Sequence, residues 1–325
     1  MRAVTIHDGE LDWAEHPDPA PGRGELLVSV RAAGLNRADL LQRRGFYPAP
    51  PGSPPDIPGL ELAGVVVGTG AGVADFAPGD RVMAVVGGGG QAELAVIHER
   101  VALPVPEAVS WAEAGGFPET FTTAYDALFS QCGLTAGERV LIHGAAGGVG
   151  TAAVQLATAA GAEVIATVRN AALRAPVEAL AAGIRAIDPD GFTAHGPFDV
   201  VLELVGGPNL EGDIDALATG GRIAVIGVGG GASASVNLLT LMARRGRVHG
   251  STLRSRPLEA KAQAAQAVRT HVLALLASGR LRVPVEATYP ISEAGRGYAH
   301  FEAGAKFGKI VLVAPSHDRD DQTAV

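Results

Sequence analysis

Two rhythms divide the chain. Up to about residue 110, short apolar runs alternate with polar positions and are punctuated by Gly and Pro: RAVTI (2–6), ELLVSVRAAGL (25–35), AGVVVGTG (63–70), DRVMAVV (80–86) and AELAVI (92–97). Period-two alternation places successive side chains on opposite faces, so these runs predict antiparallel strands. The stretch YPAPPGSPPDIPG (47–59) is too rich in proline for a ladder, because each ring fixes φ and removes a donor. It is expected to be an ordered surface loop of the kind that carries sites. GGGG (87–90) turns one strand into the next.

From about 111 the rhythm changes. WAEAGGFPETFTTAYDALF (111–129) predicts two helical pieces broken near Gly116–Pro118. Strands and helices then alternate: RVLIH (139–143), GVGTAAVQLATAAG (148–161), EVIATV (163–168), the Ala-rich 171–182, FDVVLELVG (198–206), 208–218, RIAVIG (222–227), NLLTLMARR (237–245) and VHGSTL (248–253). Alternation of this kind predicts an α/β unit, a doubly wound parallel sheet with helices on both faces. Helices over 257–279 and 292–304 and a closing strand, IVLV (310–313), follow. HDRDDQTAV (317–325) reads as a polar tail, and the segment between Gly183 and Phe198 is too short for a full helix between the third and fourth strands.

The apolar run RVLI leads straight into HGAAGGVG (143–150), and a helix follows with Val149, Ala153, Leu156 and Ala160 on one face and Gly161 at its end. Strand, glycines and helix in this order predict a dinucleotide site. Gly147, Gly148 and Gly150 supply the sharp turn, the close approach of pyrophosphate and the packing of helix on strand, with Val149 in the same first turn. The free N–H groups of the helix start face the phosphates. The alternative is a tight turn without a ligand.

An NAD site places an acid on the ribose 2′-OH about 20 residues after the turn. Between Val164 and Val177 there is no acid; Arg169 and Arg174 stand there instead. A guanidinium suits a 2′-phosphate, so NADP(H) is the expected cofactor, with Arg169 at the strand end as its reader. Either arginine alternatively serves only as a solvated cation.

Charge narrows the partners. Twenty-six Lys and Arg against 34 Asp and Glu give a net charge of −8, which argues against nucleic acid. No apolar stretch reaches the length of a membrane span and no secretory leader is evident, so no membrane is expected and a cytoplasmic enzyme is the default. Cys132 is the only cysteine, which rules out an intrachain disulfide and a cysteine-based zinc site. The nine histidines show no ligand-like spacing, and His143 is expected to be a satisfied core or rim residue.

The segments GLNRADLLQRRGFYPAPPG (34–52), IPGLELAGVV (57–66), GGGQAELAV (88–96), ETFTTAYDAL (119–128), HGAAGGVGTAAVQLA (143–157), STLRSR (251–256) and FGKIVLV (307–313) together give the chain its resemblance. It resembles the medium-chain dehydrogenase/reductase superfamily, and within it the zinc-free quinone oxidoreductases, especially the tumour-suppressor-inducible subgroup. The resemblance implies a GroES-like β domain from residues 1–118, a Rossmann NADP-binding domain from 119–256, and a return to the first domain over 257–325. Zinc-dependent relatives hold their metal with a Cys, a His–Glu pair and a further Cys or acid. Here those places read Asn36, Leu60–Glu61 and Glu119, a set that cannot close a tetrahedral site, so no metal is expected.

The same resemblance implies a role for several side chains. Asn36 either donates its amide to the acceptor oxygen or caps the helix over 37–44. Tyr47 donates its hydroxyl, stacks on a ring or is simply exposed, and Asp39 is structural. Thr122 and Thr123 approach the nicotinamide, and Gly227, Leu253 and Arg254 line its pocket. Lys309 either contacts a cofactor phosphate or lies along the surface. The implied activity is hydride transfer from NADPH to a quinone. The alternatives are reduction of an enone or enoyl-thioester double bond, and an NADPH-binding protein with little turnover. The edge strand 248–253 is expected to pair with its copy in a homodimer.

Overall fold

The computed structural model describes residues 1–314; the expected polar tail lies outside them. The chain opens with a hairpin, β1 (Arg2–His7) and β2 (Glu10–Glu15). Its turn is Asp8-Gly9, with φ of 48° and 81°. Positive φ at both central residues matches the right-handed twist of a hairpin, and Asp-Gly is the sequence signal for it. The strand reading stopped at residue 6 and missed β2.

The first sheet is built from β3 (Glu25–Gly34), β4 (Glu61–Thr69), β5 (Arg81–Val85), β6 (Leu94–His98) and β7 (Ala102–Pro104). One short helix, α1 (Arg37–Arg43), interrupts them. Two strands from the end of the chain, β14 (Val285–Pro290) and β15 (Lys309–Val313), complete the order β14-β15-β3-β4-β5-β7, with β6 also paired to β3. All pairs are antiparallel except β14 with β15. In β3, Leu26, Val28 and Val30 are buried and lie on one face.

Helices α2 (Trp111–Gly116) and α3 (Pro118–Tyr125) meet at Phe117–Pro118, where the proline begins the second helix at a position that needs no N–H partner. The second unit follows as β8 (Arg139–Ile142), α4 (Gly148–Ala159), β9 (Glu163–Thr167), α5 (Arg174–Glu178), β10 (Arg185–Ile187), β11 (Phe198–Glu203), α6 (Gly207–Asp215), β12 (Leu217–Val225), α7 (Leu238–Arg244) and β13 (Arg247–Gly250). Its strands are all parallel in the order β10-β9-β8-β11-β12-β13. This is the doubly wound order of a dinucleotide-binding sheet, with the site expected where the order reverses beside β8. As the sequence implied, β10 reaches β11 through only a 3₁₀ turn, Phe192–His195.

The expected helix over 257–279 is two, α8 (Leu258–His271) and α9 (Leu273–Ala277). They bury Val268, Val272 and Leu276 in the same core as Val140, Val154 and Val164 of the parallel sheet. The first sheet regains the chain only at β14, and α10 (Ala294–Ala303) then precedes β15. No helix among the described residues is long and apolar enough to cross a membrane.

Candidate active site between the two units

The glycine turn sits at the carboxyl end of β8. Gly144 has φ of +63°, in the left-handed region, and Gly147 precedes the first helical residue with extended backbone, φ −76° and ψ 170°. Each glycine has its own reason. A Cβ on Gly150 would lie 2.5 Å from the Gly144 carbonyl oxygen and 2.6 Å from the Ala145 Cα, so bare backbone is needed there for helix and turn to touch. A Cβ on Gly148 would meet Thr120 and Lys309 side-chain carbons, both at 2.8 Å. A Cβ on Gly147 would meet nothing closer than the Gly144 oxygen at 3.4 Å. Internal packing therefore does not demand glycine at 147, whereas a pyrophosphate lying on the turn does. Among the described residues the N–H groups of Val149 and Gly150 meet no acceptor, which leaves them free for phosphate oxygens.

Beyond β9, the two arginines separate. Arg174 is committed: its guanidinium pairs with Asp188 and donates to the Val168 carbonyl at 3.1 Å. Arg169 is exposed and has no hydrogen bond or ion pair among the described residues, so it stands available for an anion at the end of the strand. These residues fit a dinucleotide.

On the other side of the cleft lies a buried charged cluster. Glu61, fully buried on β4, accepts from the Lys309 ammonium at 2.6 Å and from the Asn36 amide at 2.9 Å with one oxygen. Its second oxygen accepts the Glu119 backbone N–H at 2.9 Å. Lys309 also donates to the Leu35 carbonyl at 2.7 Å and to the Asn36 side-chain oxygen at 2.8 Å. Three acceptors use the three N–H bonds of an ammonium, which corrects the expectation of a phosphate contact or a surface position for Lys309. The Asn36 amide is likewise committed. Its N–H groups reach Glu61 and the Gly34 carbonyl at 3.2 Å, so none is left for an acceptor in this conformation. Its position just before α1 is the capping alternative; there the Asp39 carboxylate accepts the Asn36 backbone N–H at 2.8 Å and the Gly59 N–H at 3.0 Å. Burial raises the Asp39 carboxyl to about 7.

The cluster also answers whether zinc fits. Asn36 and Leu60 are not zinc donors of any strength, Glu61 already carries an ammonium, and the one cysteine, Cys132, lies beside His249, away from this cluster. The donor set does not fit the metal.

Tyr47 is half-buried, and its hydroxyl has no hydrogen bond among the described residues. Burial raises its pKa, so the hydroxyl keeps its proton near neutrality and remains a donor. Arg254 holds the Tyr47 loop. Almost completely buried, it donates to the carbonyls of Gly87 at 2.7 Å and Tyr47 at 2.8 Å and to the Gln42 side chain at 2.5 Å, with its guanidinium 5.1 Å from the Tyr47 ring. The arginine expected to line the nicotinamide pocket is thus a tie between the two units. Thr122 and Leu253 line one small cavity with Lys261 and Val85. Gly227 follows β12, donates to the Glu203 carbonyl at 3.1 Å, and would place a Cβ 2.5 Å from the Leu204 oxygen.

One constellation was not legible beforehand. His143, Glu203 and Asp213, all fully buried, meet beneath the glycine turn. His143 Nε2 lies 2.8 Å from Asp213 and its Nδ1 3.0 Å from Thr167, while Glu203 accepts the backbone N–H groups of Val205 and Gly206. The core position expected for His143 holds. Its two acidic partners, 60 and 70 residues further along the chain, left no spacing to read.

Comparison with known proteins agrees with this architecture. Residues 22–107 match the alcohol dehydrogenase GroES-like domain and residues 185–312 the zinc-binding dehydrogenase family. Quinone oxidoreductase of Rattus norvegicus is 31% identical over 91% of this chain and 91% of its own length. Erythronolide synthase EryA2 of Saccharopolyspora erythraea is 36% identical over 98% of this chain, which spans only 9% of that protein. A mycobacterial protein solved in complex with NADPH superposes with a TM-score of 0.84 at 26% identity, covering 96% of this chain and all of the other. With these matches and a relative aligned over 91% of both chains, the chain belongs to the medium-chain dehydrogenase/reductase superfamily.

Proposed function

We propose that the protein transfers hydride from NADPH to a quinone without a metal ion. The observation that carries this reading is the Lys309 ammonium held between Glu61 and Asn36, residues that by the resemblance stand at the metal-ligand places of zinc-dependent relatives. With no Lewis acid to stabilise an alkoxide, alcohol oxidation is disfavoured. A quinone spreads the incoming charge over its own π-system. Bound NADPH supplies the hydride, and the protein supplies orientation: the turn at Gly147–Gly150 for the pyrophosphate, Arg169 for the 2′-phosphate, and Thr122 and Leu253 beside the nicotinamide. Tyr47 offers its free hydroxyl to the acceptor. The likeness to quinone oxidoreductase of Rattus norvegicus supports the acceptor class.

A second reading, reduction of the double bond of an enone or enoyl thioester, draws on the match to one segment of a polyketide-forming synthase. The two are separated by NADPH oxidation after exhaustive dialysis against a chelator, with benzoquinones, naphthoquinones, enones and enoyl thioesters as acceptors. Turnover with quinones is expected. Turnover confined to thioesters would favour the second reading, and dependence on added zinc would overturn the metal-free mechanism.

The protein is further proposed to be a homodimer through β13. That strand is the open edge of the parallel sheet, and Leu238, Leu239 and Met242 of α7 and Val248 of β13 expose apolar surface along it. The strand is shorter than the expected 248–253, and the Ser251 N–H donates at 3.2 Å to Val225 of its own chain. Ser251 is therefore not a free donor to a second subunit, and the exposed face of α7 is the better place to probe.

A further inference from the structure

The buried cluster at the cleft holds more acid than base. Asp39, Glu61 and Glu119 gather around one ammonium, Lys309. Their partners differ sharply. Glu61 has an ammonium, an amide and a backbone N–H. Asp39 has two backbone N–H groups. Glu119 has a single long contact from the Thr123 hydroxyl, 3.3 Å, on one oxygen, and its other oxygen is buried with no partner. A buried carboxylate oxygen without a donor is costly when charged and far less so when it carries a proton itself. The proton of this cluster therefore belongs on Glu119.

Glu119 also lies close to the nucleotide turn. It lies on the first turn of α3, one turn before Thr122 and Thr123, on the helix whose Thr120 packs at Gly148 of the nucleotide turn. Tyr47, Arg254 and Lys261 lie within electrostatic reach of its carboxyl, as do Glu61, Lys309 and Asp39 within the cluster.

Building on the hydride-transfer reading, we infer that Glu119 is the proton donor that completes the reduction. With NADPH bound, the acceptor would gain two electrons and one hydrogen as hydride, with NADP⁺ as the oxidised product, and would be left as an oxyanion, a hydroquinone anion or an enolate. The Glu119 O–H bond breaks as a new O–H bond forms on that oxyanion. The carboxylate left behind recovers a proton from water, so each turnover oxidises one NADPH and takes up one proton. Burial first, and then the neighbouring Glu61 carboxylate, raise the Glu119 carboxyl to about 7, the range in which one group both holds and gives up a proton at neutral pH. In this arrangement the Glu61 carboxylate beside it favours the proton on Glu119.

The test uses the wild type with Glu119→Gln and Glu119→Asp. Infrared difference spectra of the protein alone, followed through neutral pH, should show protonated-carboxyl intensity that titrates in the wild type and is reduced in Glu119→Gln by the share of one carboxyl, the remainder belonging to Asp39 and missing in Asp39→Asn. With NADPH and a quinone that the wild type reduces, kcat/KM should fall as pH rises through about 7. Glu119→Gln should lose about 100-fold or more at pH 6 and have no such limb, while Glu119→Asp recovers part of the rate. A wild-type infrared titration whose intensity is undiminished in Glu119→Gln would overturn the assignment without any turnover being needed. So would a Glu119→Gln enzyme with unchanged rate and pH profile. Failure of every acceptor with the wild type would instead remove the hydride-transfer reading, and the infrared result would still decide where the proton sits.

Discussion

Substituting alanine at two glycines of one turn separates packing from ligand binding. At Gly147 the backbone, φ −76° and ψ 170°, is open to any residue, and the new methyl would have 3.4 Å to its nearest neighbour. The fold should tolerate Gly147→Ala, and loss of glycine's freedom in the unfolded chain should stabilise it by about 0.4–1 kcal/mol. The methyl would, however, stand where the pyrophosphate has to approach. Displacing the phosphate from one or two charged hydrogen bonds costs about 1.5–3 kcal/mol, a loss of roughly 10–150-fold in NADPH affinity. At Gly150 the methyl would fall 2.5 Å and 2.6 Å from backbone atoms that cannot rotate away. Gly150→Ala should therefore lose about 1–3 kcal/mol of stability through overpacking, and bind poorly because its turn has moved. Urea unfolding gives the stabilities and NADPH fluorescence titration the dissociation constants. An unchanged dissociation constant for a normally folded Gly147→Ala would refute the placement of pyrophosphate on this turn. An undisturbed Gly150→Ala would refute the packing argument.

Arg169→Ala should reduce a wild-type preference for NADPH over NADH that is expected to be at least about tenfold, measured as the ratio of dissociation constants; equal constants in the wild type would remove the 2′-phosphate assignment. Lys309→Met should cost about 3–5 kcal/mol in urea unfolding, because it strands Glu61 as a buried unpaired charge, and adding Glu61→Gln should recover part of the loss. A cost below about 1 kcal/mol would show that the pair is not what holds the cluster. Leu239→Asp on the exposed face of α7 should turn a dimer into a monomer in light scattering with little change in stability, and a wild type that is monomeric at micromolar concentration would contradict the dimer.

Much of the architecture was legible in local pattern. The switch from period-two runs to alternating strands and helices near residue 111 marks the passage from one sheet to the other, because each periodicity reports which face of an element is buried. The short reach from β10 to β11 could be counted directly. The missed second strand was a matter of reading: Asp8-Gly9 announces the hairpin, but ELDWAE is half-exposed and polar, so its alternation is faint.

The sequence by itself determined the two kinds of sheet, the glycine turn between strand and helix, the arginine where an acid would select NAD, and the shortage of cysteine. All of these depend on neighbours in the chain or on composition. Tertiary structure alone decided what the isolated ionisable residues do. Lys309 lies 248 residues from Glu61 and 273 from Asn36, and Arg254 lies 207 from Tyr47, separations over which no periodicity carries information. A lysine in a strand reads as a surface cation until the fold removes its water and offers it a carboxylate and two oxygens instead. Glu119, legible in the sequence only as an acid at one metal-ligand place of zinc-dependent relatives, is left by its neighbours with one oxygen buried and without a donor. Ionisation, and with it the chemistry proposed for the cleft, follows from that local balance of desolvation and partners, which exists only once distant segments have been packed together.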